Sequence, residues 1–217
     1  MIYKKIVLKP GQQVFFMSDP HYGHRNICRG TTQWELRDHG GDNAVRDFDT
    51  LEHMNDTIVN GINNMVGQDD WLVCLGDWSF GGEENILKFR NRIICKNLIH
   101  ILGNHDHHIC RSKDIQGYFG YNVYAYLELT VTGMFGKNTY NLFHFPIHIW
   151  NKAHHDRVHL YGHVHGGYTA PDRSLDVGID NAFKLYGEYR PFSEGDIAKY
   201  MKNRHYHQQS HHSKDTN

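Results

Sequence analysis

Two spacings of apolar residues alternate along the first half of the chain. Apolar runs at 14–17, 71–75 and 97–102, the last of which also contains Asn97 and His100, predict buried strands, because a strand covered on both faces is apolar on both sides. Apolar residues at three- and four-residue steps predict an amphipathic helix over 47–66, and a second helix is predicted over 83–93. Strands that alternate with helices in this way predict a parallel sheet.

The second half of the chain is richer in strands. Alternating polar and apolar residues predict strands over 124–132 and 139–145, on either side of a glycine-rich turn. Shorter strands are predicted at 158–161 and 175–179, before a closing helix over 194–203. We therefore expect an α+β fold, an α/β/β/α four-layer sandwich in which two mixed β-sheets are flanked by helices.

The chain shows no linker that would divide it into separate domains. A further strand is predicted at 3–8, joined by a turn to the strand at 14–17. We expect a single domain over 1–204. The polar, histidine-rich tail at 205–217 is expected to be disordered.

The bulk composition narrows the range of functions. The chain has 23 basic and 24 acidic residues and a formal net charge of −1, which argues against a broad nucleic-acid-binding face. Its 4 cysteines include no C-x-x-C pair, which predicts a reducing compartment, and we expect a cytoplasmic protein. No apolar run approaches the ~18 residues of a membrane span. The first apolar run breaks off at Pro10, too early for a signal-peptide core.

Residues with metal-binding chemistry follow the predicted strands. In chain order they are Asp19 and His21, Asp77, Asn104 with His105 and Asp106, His144, and His163 with His165. Residues two apart on an extended backbone point to the same face, which groups Asp19 with His21 and His163 with His165. Carboxylates, an amide and imidazoles suit two divalent ions such as Mn²⁺, Fe²⁺ or Zn²⁺. Each motif alone is common in turns, but their repetition at the strand ends predicts one shared metal site.

These motifs as a set resemble those of a known family. The metal-binding motifs of the calcineurin-like metallophosphoesterases are similar, in content and in order, to Ser18-Asp19-Pro20-His21, Gly76-Asp77, Gly103-Asn104-His105-Asp106, His144 and Gly162-His163-Val164-His165. Protein Ser/Thr phosphatases of this family carry Asp-Arg-Gly shortly after Gly-Asp and Glu after Gly-Asn-His. Here Trp78 and Asp106 follow instead. The chain therefore resembles the phosphodiesterase-type branch, and in particular its small bacterial and phage members.

The resemblance implies a dinuclear centre with a defined division of roles. One ion would be held by Asp19, His21 and His165 and the other by Asn104, His144 and His163, with Asp77 shared between them. Water between the ions would have its pKa lowered from ~15.7 towards ~7, and the resulting metal-bridging hydroxide would attack phosphorus. His105 stands outside the ligand set and would act as the acid that protonates the leaving oxygen. Mn²⁺ is the favoured ion, with Fe, Zn or Ni as alternatives.

The function that the resemblance implies is hydrolysis of a phosphodiester of a nucleotide or a related small molecule. A nuclease or a phosphomonoesterase with the same site is the alternative, and a non-catalytic scaffold on the same fold ranks lower. The neutral charge favours a small-molecule substrate over nucleic acid. We expect no membrane partner, and the oligomeric state stays open.

Several residues near the motifs have two interpretations. His24 and Arg29 either contact the substrate phosphate or belong to a solvated loop. Asp106 either orients the preceding histidine or caps the next turn. Trp78 and Phe80 either stack on a base or pack in the core, and for these two core packing is favoured.

Overall fold

The computed structural model describes residues 2–33 and 45–206, so that residues 207–217 of the predicted tail lie outside the described part of the chain. The described β-strands are β1 Tyr3–Val7, β2 Val14–Met17, β3 Trp71–Cys74, β4 Asn97–Ile101, β5 Val123–Tyr124, β6 Tyr126–Gly133, β7 Gly136–Phe143, β8 Val158–Tyr161, β9 Ser174–Asp176 and β10 Phe192–Ser193. The described α-helices are α1 Leu51–Met65, α2 Gly82–Arg92, α3 His107–Arg111, α4 Lys113–Gly117, α5 Ile179–Tyr186 and α6 Glu194–Met201. None of these helices combines the length and apolar character that crossing a bilayer requires.

The strands form two five-stranded sheets. The first sheet has the order β10-β2-β3-β4-β5, and the second has the order β1-β6-β7-β8-β9. In the first sheet β2 to β5 are parallel and only β10 is antiparallel to its neighbour. In the second sheet only β6 and β7 are antiparallel. The prediction of an α+β fold with two mixed sheets is therefore confirmed.

The two sheets share one core, and helices cover the outer face of the first. Phe16 and Val73 on the first sheet and Leu142 on the second are 0% exposed within the core between the sheets. Helices α1 and α2 bury Met54, Phe89 and neighbouring apolar residues against the opposite face of the first sheet. Because both faces of β2 and β3 are buried, these strands are continuously apolar, as the sequence pattern indicates.

The outer face of the second sheet is covered differently. Glu128 and His159 point to this face, and both bind the loop that runs from 144 to 157. The backbone N–H of Ile147 donates to His159, and Arg157 forms an ion pair with Glu128. A loop with one short 3₁₀ helix thus stands where the expected four-layer order has a helical layer.

The turn at 9–12 joins strands of different sheets, because β1 pairs with β6 in the second sheet and β2 pairs with β10 in the first. Three predicted details differ from the structure. The turn between β6 and β7 holds only Met134 and Phe135, because strand pairing continues to Gly133 and Gly136. The predicted strand at 175–179 is divided between β9 and the start of α5. Helix α1 begins at Leu51 because the Thr50 side chain caps it.

Candidate metal centre

Five strands deliver the seven predicted ligands to one rim of the sandwich. Their carboxyl ends lead to Asp19 and His21 (after β2), Asp77 (after β3), Asn104 (after β4), His144 (after β7), and His163 and His165 (after β8). We call these seven residues the ligand cluster. Two three-residue groups in it have ligand atoms within 4.8 Å of one another, Asp19 with His21 and His165, and Asp19 with Asp77 and His144.

The remaining two predicted ligands adjoin the second of these groups. The Asn104 Oδ1 atom lies 3.1 Å from His144 Nε2. The exposed His163 ring lies 5.3 Å from the His144 ring, measured between centroids. The structure therefore brings all seven residues to one place, with His163 at the outer edge.

The backbone of the ligand cluster is unusual. Five of the nine described non-glycine residues with positive φ are predicted ligands, namely Asp19, His21, Asp77, His163 and His165, with φ between 49° and 72°. Such conformations cost about 1–3 kcal/mol each and persist only where the surrounding structure imposes them. Their concentration at one rim indicates a functional site.

Close backbone approach explains two of the glycines in the motifs. A Cβ atom on Gly103 would lie 2.2 Å from Asp77 Oδ1, and one on Gly162 would lie 2.4 Å from Asp19 Oδ2. No side chain fits there, because the neighbouring loops press directly against the two carboxylates.

One oxygen of each carboxylate is held by the backbone, and the other faces the histidines. The N–H of His163 donates to Asp19 Oδ2 at 2.8 Å, and the N–H of His105 donates to Asp77 Oδ1 at 2.9 Å. Asp77 Oδ2 lies 3.7 Å from His21 Nε2 and 3.5 Å from His144 Nε2. Asp19 Oδ1 is buried and has no hydrogen-bond partner among the described residues.

The orientation of the imidazole nitrogens is compatible with a cation between these groups. His144 Nδ1 lies 2.7 Å from the Leu75 carbonyl oxygen, to which it must donate its proton. In the neutral ring the lone pair on Nε2 then faces Asn104 Oδ1, which also carries lone pairs. His165 Nδ1 lies 2.7 Å from Asp180 Oδ2, so in the neutral ring the lone pair on its Nε2 points to His21 Nε2, 3.2 Å away. A divalent cation could occupy the space between His144 Nε2 and Asn104 Oδ1, and the donor set of carboxylate, amide and imidazole fits it.

The pKa values agree with a site built for cations. Burial, together with the charge of Arg46, lowers the pKa of His21 well below its ordinary value, so its imidazole is neutral. Burial raises the pKa of Asp77, the charge of Asp19 adds to the rise, and His144 opposes it. The positive charge around Asp77 in the protein alone therefore does not fully offset the burial of its carboxylate.

Arg46 and Asp180 support the ligand cluster from behind, and the sequence interpretation missed both. The buried Arg46 guanidinium donates to the backbone carbonyls of Asp19 at 2.6 Å and Pro20 at 2.8 Å. It also binds both carboxylate oxygens of Asp180, at 2.8 and 2.9 Å. Asp180 Oδ2 in turn lies 2.7 Å from His165 Nδ1, which orients the ring and presents Nε2 to the cluster.

The charges of Arg46 and Asp180 stabilise their interaction with His165. Burial favours the neutral carboxyl, but the charge and hydrogen bonds of Arg46 lower the pKa of Asp180 below its ordinary range. Burial lowers the pKa of His165, but the hydrogen bond with Asp180 and the charges of Asp19 and Asp180 together outweigh it and raise the pKa above its usual value. No sequence spacing relates Arg46 to Asp180, which are 134 positions apart, and only the fold brings them together.

Asp106 has neither of the two roles that the sequence left open. Its side chain makes no hydrogen bond that caps α3. Instead it accepts from the backbone N–H groups of Gly103, Asp77 and Trp78 at 2.8 to 3.0 Å and pairs with His100 Nε2 at 3.0 Å. Burial opposes the charge, but His100 and the backbone donors lower the pKa of Asp106 to about 2. Asp106 therefore ties the loops after β3 and β4 together.

His105 and His24 lie beside the ligand cluster. The exposed His105 ring is 5.9 Å from the His21 ring and 4.7 Å from the Phe80 ring, measured between centroids. The His24 ring stacks on Phe80 at 3.7 Å, and burial with nearby charges, His105 first, lowers its pKa to about 4. Both histidine rings therefore lie at the rim beside the ligand cluster.

Arg29, Trp78 and Phe80, the other residues with two interpretations, have different surroundings. Arg29 forms ion pairs with Asp47 at 2.6 Å and Asp49 at 2.5 Å, so its guanidinium is already engaged. Trp78 is 0% exposed and packs in the core, as predicted, whereas Phe80 is half-buried at the rim.

Comparison with known proteins shows the fold without a function. No protein-family model matches the sequence, and no curated protein matches it. Among solved structures, the chain is similar to the protein of unknown function AQ665 from Aquifex aeolicus. The two are 18% identical, the TM-score is 0.56, and the match covers 88% of this chain and 100% of that chain. At this identity the similarity establishes a shared fold.

Proposed function

We propose that this chain is a metal-dependent phosphoesterase that hydrolyses a phosphodiester of a nucleotide or a related small molecule. The observation that carries the proposal is the pair of adjacent three-ligand groups that share Asp19. Asp77 Oδ2 is close to histidines of both groups, as a bridging ligand requires. The ligand types suit two divalent ions, of which Mn²⁺ is favoured.

The chain's own residues supply orientation and a proton. Two bound cations would supply a hydroxide nucleophile near neutral pH and compensate the charge of the phosphoryl group. The backbone N–H of His105 donates to Oδ1 of Asp77, and that of His163 donates to Oδ2 of Asp19. The second oxygen of each carboxylate therefore faces the other ligands of the cluster. The exposed imidazole of His105 beside the cluster would donate a proton to the leaving oxygen.

A small diester is favoured over nucleic acid because the chain has a formal net charge of −1. The motif departures at Trp78 and Asp106 support the phosphodiesterase-type branch over protein phosphatases. A panel of nucleotide diesters, cyclic nucleotides, short oligonucleotides and phosphomonoesters identifies the preferred ester, with small diesters expected to turn over fastest.

Two substitutions test the proposal in the Mn²⁺-loaded protein. Hydrolysis of bis(p-nitrophenyl) phosphate should fall below detection in Asp77→Asn, and kcat for a 2′,3′-cyclic nucleotide, whose alkoxide leaving oxygen needs a proton, should fall roughly 10²- to 10⁴-fold in His105→Ala. Asp114→Asn and His107→Ala are the matched controls, because both residues are exposed outside the ligand cluster. The proposal is wrong if Asp77→Asn and His105→Ala keep the wild-type rate.

Metal analysis separates an enzyme from a scaffold on the same fold. Titration of the metal-free protein with Mn²⁺ should reach two ions per chain, and Asp77→Asn should lower this number. Binding of fewer than two ions, without turnover of any ester, would favour the scaffold.

A further inference from the structure

An exposed phenyl ring stands directly beside the ligand cluster. Phe145 follows His144 in the chain and is 37% exposed. Its ring centroid lies 4.6 Å from that of His163 and 5.0 Å from that of His144. A phosphate ester held at the cluster would therefore carry one of its substituents past this ring.

Among the described residues, no aromatic ring stacks parallel on Phe145. The ring meets His163 at 60°, His144 at 79° and Phe143 at 57°, so these contacts are tilted or edge-on. Phe80, the other phenylalanine beside the cluster, has a face covered by the parallel ring of His24, at 13° and 3.7 Å. Phe145 is therefore the better placed of the two to accept a stacked planar group.

The segment that carries Phe145 is held at both ends. Pro146 restricts the Phe145 backbone to extended conformations. On one side, the His144 ring binds the Leu75 carbonyl oxygen at 2.7 Å. On the other, the Ile147 N–H donates to the buried His159 at 3.2 Å. An apolar ring that is exposed and yet held in place by its surroundings is suited to recognition, because little order is lost when a ligand stacks on it.

We propose that Phe145 is the stacking platform for the base of a nucleotide whose phosphate lies at the ligand cluster. This inference rests on the function proposed above and names its substrate class. Nucleobases present an aromatic face of any identity, so the platform should bind purine and pyrimidine nucleotides alike and discriminate against esters without a base.

Two ligands that differ only in the base provide the test. Adenosine 5′-monophosphate and ribose 5-phosphate share the phosphate and the sugar, and their Kd values for the Mn²⁺-loaded protein are measured by calorimetry. The wild type should bind the nucleotide about tenfold more tightly, which corresponds to roughly 1.4 kcal/mol and is within the range for base stacking on aromatic side chains. Phe145→Leu should abolish this ratio, while Phe145→Trp should retain it.

Two control variants give the test its specificity. Phe135→Leu alters another exposed phenylalanine, at the opposite end of β7, and should keep the ratio. Phe80→Leu should also keep the ratio, because its ring is covered by His24. Ribose 5-phosphate should bind equally to wild type and Phe145→Leu, which shows that the metal centre is intact.

Three results would overturn the inference: equal binding of both ligands to the wild type, an unchanged ratio in Phe145→Leu, or loss of the ratio in Phe80→Leu. Failure of the proposed function has a different signature. In that case no ester is hydrolysed with any divalent ion, although the protein binds the nucleotide tenfold more tightly and loses this preference in Phe145→Leu.

Discussion

Asp19 and Asp106 lie at the same rim and are 0% and 3% exposed, yet their oxygens are used in opposite ways. Asp106 accepts hydrogen bonds from three backbone N–H groups and pairs with His100. Asp19 accepts one, from His163, and its Oδ1 has no partner among the described residues. We call Asp106 with its four donors the Asp106 anchor.

The histidines repeat this contrast. His159 is 0% exposed and uses both ring nitrogens in hydrogen bonds, to the Asn141 carbonyl and from the Ile147 N–H. His21 presents Nε2 to another imidazole, that of His165. A buried polar group with complete hydrogen bonding stabilises the fold, whereas one with an open lone pair costs free energy until a ligand arrives. The distinction separates structural from functional residues of the same chemical type.

The largest effect on stability is expected for Asp106→Asn. An amide cannot accept all four hydrogen bonds, and the change also leaves His100 without its charged partner. The free energy of unfolding of the metal-free protein should fall by roughly 3 kcal/mol, measured by urea denaturation with chelator present.

Asp19→Asn is the matched comparison, because it changes an equally buried carboxylate of the ligand cluster. Without metal it should lose no stability, since no hydrogen bond to Oδ1 exists to be broken. Binding of Mn²⁺ should be lost. An equal loss of stability in both variants would show that the contrast between the cluster and the Asp106 anchor is wrong.

A smaller effect is expected from the pH dependence of His159. Burial lowers its pKa from 6.5 to about 4, so the unfolded chain takes up this proton at higher pH than the folded one. Its contribution to stability is complete above the unfolded pKa and decreases as the pH falls towards the folded value. Between about pH 7.5 and about pH 5 this residue should account for roughly 2 kcal/mol.

The variant His159→Gln isolates this contribution. Metal-free wild type and variant are unfolded with urea at both pH values, and the variant should lose less stability on acidification. Parallel losses in the two proteins would show that His159 is not the titrating group.

The smallest effect on metal binding is expected for Asp180→Asn. This variant tests whether Asp180, whose carboxylate is hydrogen-bonded to Arg46 and His165, orients His165 for metal binding. The change weakens the orientation of His165, and Mn²⁺ affinity should fall roughly 10- to 100-fold in calorimetry. Asp196→Asn is the control, because it removes a comparable ion pair, that with Arg190, away from the cluster. A similar loss of affinity in both variants would rule out a specific role for Asp180.

The fold was predictable where burial leaves a simple pattern. Largely apolar runs predicted β2, β3 and β4 because both faces of these strands are covered. The prediction of one strand at 175–179 was wrong. Leu175 and Ile179 are both buried, but Leu175 lies in β9 and Ile179 begins α5. Apolar character records burial and does not say which element achieves it.

The sequence by itself determined the chemistry of the ligand cluster, because carboxylate, amide and imidazole side chains in short motifs at strand ends limit what can bind there. Only the tertiary structure decided which of these polar side chains keep an atom without a hydrogen-bond partner. Asp106 accepts hydrogen bonds from backbone N–H groups. Arg46 and Asp180, which are 134 positions apart, form an ion pair next to His165. The Phe145 ring lies beside that of His163. Hydrogen-bond satisfaction depends on neighbours distant in sequence, so no local pattern records it.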